Sequence, residues 1–209
     1  MSTDNHINPK DFEILEKETV YAGYFQIVRY RLRHTLFAGG WSDEVVREVF
    51  ERGHAASVLL YDPILDKVVM IEQFRVGAIR ADNESPKMWL WEVVAGIIES
   101  GETTTEVVCR EAQEEAGCTV SDLILMYDYL VSPGGTTESN VMFCGRVDAS
   151  QAGGIHGLAQ ENEDIKVHVL SVTTALDKLH DGQICSAPAI IALQWLALHK
   201  EEVKQRWGC

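Results

Sequence analysis

Gly96-Ile97-Ile98-Glu99-Ser100-Gly101-Glu102-Thr103-Thr104-Thr105-Glu106-Val107-Val108-Cys109-Arg110-Glu111-Ala112-Gln113-Glu114-Glu115-Ala116-Gly117-Cys118 is the stretch on which the fold of this chain turns. Thr103-Thr104-Thr105-Glu106 reads as a capping box, in which a threonine hydroxyl and a glutamate carboxylate satisfy free amides at a helix start. A helix is therefore expected from about Thr104. Gly117 follows the last periodic residue and can take the left-handed conformation that stops a helix. Between those ends, Glu111 and Glu115 are four apart and Glu114 is three from Glu111, so about 3.6 residues per turn crowds all three onto one face. Like charges so placed repel. A hard divalent cation with oxygen ligands is the natural means of neutralising them.

Working outward, composition bounds the class. The 209 residues carry 46% hydrophobic and 24% charged residues, as an ordinary globular protein does, and suffice for one main domain plus a smaller appendage. A formal net charge of -14 argues against nonspecific nucleic-acid or anionic-membrane partners. Five cysteines, Cys109, Cys118, Cys144, Cys185 and Cys209, are odd in number and lack CxxC spacing, which speaks against a disulfide framework or a zinc site and for a cytoplasmic location. Met1–Lys10 is polar and does not read as a signal peptide. Gly182–His199 is uncharged over much of its length but too short and interrupted for a bilayer span; it reads as a buried C-terminal helix with Pro188 in its first turn.

The remaining elements follow from periodicity. After an irregular start, Tyr24–Arg33 alternates Val28, Tyr30 and Leu32 against Arg29, Arg31 and Arg33, a half-buried strand, and Glu44–Arg52 reads as a second. Residues 1–50 form a small antiparallel β unit, marginal alone, ahead of a main domain over 51–209. Ala55–Tyr61 and Val68–Phe74 make a hairpin, Trp89–Ile98 is an apolar run ahead of the helix, and Leu123–Val131, Val141–Val147 and Ile165–Leu170 are strands. Gly153–Asp164 reads as an acidic loop, and helices are expected over Thr173–His180 and Ala189–Arg206. The fold class is α/β of mixed α+β character: a mixed β-sheet sandwiched between helices.

The pattern from Gly96 through Glu102 to Arg110-Glu111-Ala112-Gln113-Glu114-Glu115-Ala116-Gly117-Cys118 resembles the Nudix box at every specified position. The resemblance implies hydrolysis of a phosphoanhydride with Mg2+, for which Mn2+ can substitute. Metal ligands are then expected at Glu111, Glu115 and the Ala95 carbonyl, with Glu114 assisting and Arg110 paired to Glu102. Gly157-Leu158-Ala159-Gln160-Glu161 and the following Glu163 resemble the loop that carries the general base in the ADP-ribose pyrophosphatase branch. Glu161 is expected as base and Glu163 as a further ligand, with the two roles open to exchange. Pro133, sixteen residues past Gly117 within Ser132-Pro133-Gly134, is placed as in that branch. By the same resemblance Tyr24 and Phe25 are expected to stack on adenine. Arg47, Glu48, Arg52, Arg75, Ile97 and Glu138 are expected to contact substrate. A homodimer with exchanged N-terminal strands is implied as well. NADH, dinucleoside polyphosphates and nucleotide sugars are rival substrates, and a non-catalytic ADP-ribose sensor is the rival of a different class.

Overall fold

The computed structural model describes residues 11–79 and 88–209, with the backbone alone at Glu161. Met1–Lys10 and much of the Arg75–Trp89 stretch lie outside the described residues. The chain divides into two compact units, one comprising the N-terminal stretch through His54 with Leu130–Ser139, the other Ala55–Tyr129 with Asn140–Cys209.

The first unit is a three-stranded antiparallel sheet of β1 (Phe12–Ala22), β2 (Gln26–His34) and β3 (Val45–Glu51), in that order. β1 falls where an irregular start was expected. Two register shifts, at Ile14/Glu16 and Thr19/Tyr21, explain the miss: each bulge inserts a residue and breaks the period-two signal. On β2 the alternation largely holds, and Arg29 pairs with Glu48 and Tyr30 with Arg47 across the unbroken β2–β3 ladder.

The second unit is built on an eight-stranded sheet. Its strands are β4 (Ala55–Asp62), β5 (Lys67–Phe74), β6 (Trp89–Glu92), β7 (Val94–Ile97), β8 (Asp122–Leu130), β9 (Ser139–Arg146), β10 (Gly154–His156) and β11 (Ile165–Ser171). The main path runs β10-β11-β5-β4-β9-β8, with β6 paired to β5 and β7 to β4. β4 and β9 are parallel, whereas β4 and β5 are antiparallel, so the sheet is mixed. The run expected as one element from Trp89 to Ile98 is thus two short strands with different partners. The acidic loop also contains more structure than expected, namely β10 and a 3-10 turn over Ala159–Glu161.

Among the described residues three helices cover this sheet: α1 (Thr104–Ala116), α2 (Val172–His180) and α3 (Ala187–Arg206). Strand alternation sends Val58, Leu60, Val69 and Ile71 to one face, against Val107, Val108 and Ala112 of α1. Leu59, Tyr61, Val68 and Met70 go to the other, against Val172 and Ala175 of α2 and Leu193 and Leu196 of α3. Each of these side chains is removed from water, and full burial of one Val, Leu or Ile stabilises by roughly 1.5–3 kcal/mol. The sandwich expected from the order of elements is the one observed. Pro188 sits in the first turn of α3. Among the described residues no helix is long and apolar enough to cross a membrane.

Candidate active site

α1 starts and stops where the sequence places its signals. The Thr103 hydroxyl accepts from the Glu106 amide at 3.3 Å while the Glu106 carboxylate accepts from the Thr103 amide at 2.8 Å. Gly117 closes the helix at φ +62°, its amide donating to the Gln113 carbonyl. On the exposed side of the helix, Arg110 gathers acids. Its Nε and Nη2 grip both oxygens of Glu102 at 3.0 and 3.3 Å, and its Nη1 donates to Glu111 at 2.8 Å and Glu114 at 3.0 Å. The Glu102 bond above all holds the guanidinium protonated beyond its ordinary range.

Glu115 is different. It is 3% exposed, and its carboxylate accepts a hydrogen bond from the Ala95 amide at 3.1 Å. Desolvation pushes its pKa up to about 8, with Glu111 and Glu163 adding to the rise and the Ala95 amide and Arg75 opposing it. Burial raises Glu111 too, against the pull of Arg110. Gly96, opposite Ala56 on the β4–β7 ladder, makes room for Glu111: a Cβ there would stand 2.5 Å from the Glu111 carboxyl carbon. A side chain at this position of the strand would push the Glu111 carboxylate from its place.

The acidic loop is tied to the other end of the same helix. The Gly157 amide donates to the Glu114 carbonyl at 3.3 Å, and the His156 ring lies where a Cβ on Gly117 would meet it at 2.6 Å. Glu163 accepts from the Leu158 amide across the loop base at 3.2 Å, and its charge is felt at both Glu111 and Glu115. Glu161 lies in the 3-10 turn of this loop; its side chain, the expected base, is outside the described residues. Arg75 belongs here as well, since it acts on Glu115, and Ile97 ends β7 with its side chain exposed.

Within the first unit several of the expected residues meet. Tyr24 and Phe25 meet edge to face at 4.7 Å, Phe25 meets Phe50 at 5.1 Å, and the Arg52 guanidinium lies 5.7 Å from the Phe25 ring centre. Arg52 also pairs with Glu138 at 3.5 Å. The exposed Ser132-Pro133-Gly134 turn is closed by amides of Gly135 and Thr136 on the Ser132 carbonyl, and the Gly135 carbonyl accepts from Phe50. Arg47 and Glu48 are neighbours on β3 and so point to opposite faces. Glu48 is held by Arg29 at 2.8 Å.

One partner of an expected site residue escaped sequence reading. Glu92, 14% exposed in its side chain, accepts from Arg75 Nε at 2.7 Å and Gln73 Nε2 at 3.2 Å. The alternation of Glu92, Val94 and Gly96 across β6 and β7 was the signal that could have found it.

The donor set fits a hard divalent cation: carboxylates on α1 and the facing loop supply oxygens, and one of them is buried without a cationic side chain in hydrogen-bond contact among the described residues. In the conformation described, no group of three or more His, Cys, Asp or Glu among the described residues is drawn together closely enough to hold a metal. Arg110 occupies part of that role by bonding Glu111 and Glu114.

The model of the NUDIX domain family matches residues 51–200. ADP-ribose pyrophosphatase of Escherichia coli strain K12 is 51% identical over 198 residues, spanning 95% of this chain and 93% of that protein. The protein of the same name from Haemophilus influenzae is 44% identical over 99% of this chain and 95% of its own length. GDP-mannose pyrophosphatase of Yersinia enterocolitica is 30% identical over 90% of this chain and 95% of that one. A crystal structure described as an ADP compounds hydrolase superposes with a TM-score of 0.70 at 20% identity, covering 94% and 96% of the two chains, which shows a shared fold. With the helix, its acids and the family match agreeing over the same residues, the chain belongs to the Nudix family.

Proposed function

We propose that this Nudix hydrolase splits the pyrophosphate bond of ADP-ribose by attack of water at phosphorus, giving AMP and ribose 5-phosphate, with magnesium as its working ion. The likeness along nearly the whole chain to proteins named ADP-ribose pyrophosphatase carries this reading. The family is divalent-metal dependent; Mg2+ is the choice we infer, with Mn2+ a substitute. Glu111, Glu115, Glu163 and the Ala95 carbonyl would hold the ion, with Glu114 assisting. Once bound, it supplies screening of the phosphates and a more acidic water.

The chain's own groups account for the rest. Arg110 fixes the loop at Glu102 on the helix and restrains Glu111. Arg75 offers a guanidinium to the diphosphate beside Glu115. The loop tied at Gly157 brings Glu161 to the water as general base, to take its proton during attack. Tyr24 and Phe25 provide a ring surface for adenine, with Arg52 and Glu138 beside it.

We also infer a homodimer with exchanged N-terminal strands, in the cytoplasm. Exposed Phe12, Ile14 and Tyr21 on the small sheet, with Phe37 and Trp41 in the connection between β2 and β3, support the first, and five free thiols support the second. Light scattering on purified protein should give twice the chain mass.

The decisive assay incubates the protein with Mg2+ and ADP-ribose and follows AMP by chromatography, beside NADH, a dinucleoside polyphosphate and GDP-mannose. ADP-ribose should turn over fastest. A preference for another substrate replaces it, and tight ADP-ribose binding without turnover makes the chain a sensor. Glu161→Gln should lower the rate by roughly two to four orders of magnitude while Mg2+ binding stays; a near-normal rate moves the base to Glu163 or elsewhere.

A further inference from the structure

Past the end of β5 the ladder continues one step, because the Arg75 amide donates to the Met88 carbonyl at 2.8 Å. Ile71, Gln73 and Arg75 therefore share a face, and Ile71 packs among the residues that meet α1. Glu92 lies opposite Ile71 in the β5–β6 register and so is on that face too. Its Oε2 receives two donors, Gln73 Nε2 and Arg75 Nε. Gln73 is 6% exposed, which makes this side of the carboxylate a dry, fixed seat. Arg75 itself is 47% exposed in its side chain. The arrangement thus has a partly buried acid gripping the inner nitrogen of a cation whose side chain is about half exposed.

We propose that Glu92 is a positioning residue for substrate: by occupying Nε of Arg75 and backing onto Gln73, it turns the two Nη groups outward as a fork for the diphosphate. This rests on the reading of Arg75 as a diphosphate ligand. A guanidinium binds a phosphate through two parallel N–H bonds only when its plane is set, and an unrestrained arginine surrenders rotamer freedom on each binding event. Glu92 removes that cost beforehand. The nearby influence of Arg75 on Glu115 agrees with a fork that faces the carboxylate cluster.

The test is a double-mutant cycle on the full-length enzyme with ADP-ribose and Mg2+. Arg75→Ala should raise KM roughly tenfold or more. Glu92→Gln should raise KM roughly three- to tenfold with kcat within about twofold, and Mg2+ affinity by calorimetry should be unchanged. Arg75→Ala with Glu92→Gln should be no worse than Arg75→Ala alone, because the second change acts through the first. Glu92→Asp, which keeps the charge, should recover part of the lost affinity. Multiplicative effects in the double variant overturn the proposal, as does a fall in Mg2+ affinity in Glu92→Gln, which would make Glu92 a ligand. If Arg75→Ala keeps a normal KM, the Arg75 reading itself fails; if Arg75→Ala is impaired and Glu92→Gln is not, only the positioning role fails. Should Glu92→Gln melt early, Gln73→Leu, which removes the backing donor and leaves the ion pair, must give a smaller KM rise of the same kind.

Discussion

The small N-terminal sheet and helix α1 are both dense in glutamate, yet they solve the problem of charge in opposite ways. On the sheet, acid is matched to base across the ladder: Glu13 with Arg33, Glu16 and Glu44 with Arg31, Glu18 and Glu48 with Arg29. These groups are about half exposed, and such pairs contribute roughly 0–1 kcal/mol each. On α1, Glu102, Glu111 and Glu114 share the guanidinium of Arg110, and Glu115 lies buried behind them. Charges that already cancel across a ladder do not require a metal ion. A surface that buries a carboxyl group with no cationic side chain bonded to it among the described residues is suited to take up a cation, and that imbalance, rather than the number of glutamates, supports the proposed site.

The comparison breaks most visibly in activity. Glu115→Gln should cost roughly two to three orders of magnitude in turnover and most of the Mg2+ affinity, because the proposed anionic ligand is replaced by a neutral amide. Glu16→Gln on the sheet should leave turnover within about twofold. Equal effects from the two would remove the distinction.

Titration separates the two regions next. With metal chelated, the native state between about pH 5 and 8 keeps a proton on Glu115 that the unfolded chain, with an ordinary carboxylate, has released. The folded pKa is raised, so this group's contribution to stability is lost as pH climbs through that window. Urea melts should show wild type losing of order 2–4 kcal/mol between pH 5 and 8 relative to Glu115→Gln, at about 1.4 kcal/mol per pH unit, and Mg2+ should abolish the difference. Parallel curves would mean that the carboxylate is already neutralised without metal.

The smallest effects are structural. Thr103→Ala removes the hydroxyl half of the capping box and should destabilise by about 1 kcal/mol. Glu16→Gln, in contrast, should change stability by no more than about 0.5 kcal/mol, since water solvates what the partner loses. Thermal melts of both in one buffer rank the two; a ladder variant that costs more than the cap would show the sheet charges to be cooperative.

How far these regions could be read in advance differs for a physical reason. The helix announces itself locally: its cap, its stop and its face of acids lie within fifteen residues, and Thr103 and Gly117 do what their spacing implies, while Arg110 pairs with Glu102 as the family resemblance implies. β1 was hidden because two bulges break its alternation and its side chains are mostly exposed. β10 was hidden because three residues carry too little periodicity to register, although they pair with Ile165–Val167. The split of Trp89–Ile98 between two partner strands is a tertiary event with no local mark.

By itself the sequence determined the ends of α1, the face its carboxylates share and the alternation of β2, because each depends on neighbours within a turn or a pleat, and the excess of anions, which composition alone fixes. Only the tertiary structure decided that Gly96 lets a strand close on Glu111, that Glu115 is sealed beneath Ala95, that the acidic loop is moored at Glu114, and that Glu92 seats Arg75. Those contacts join residues distant in the chain, and their strength comes from excluding water, which no stretch of sequence can do until the sheet and helix have packed.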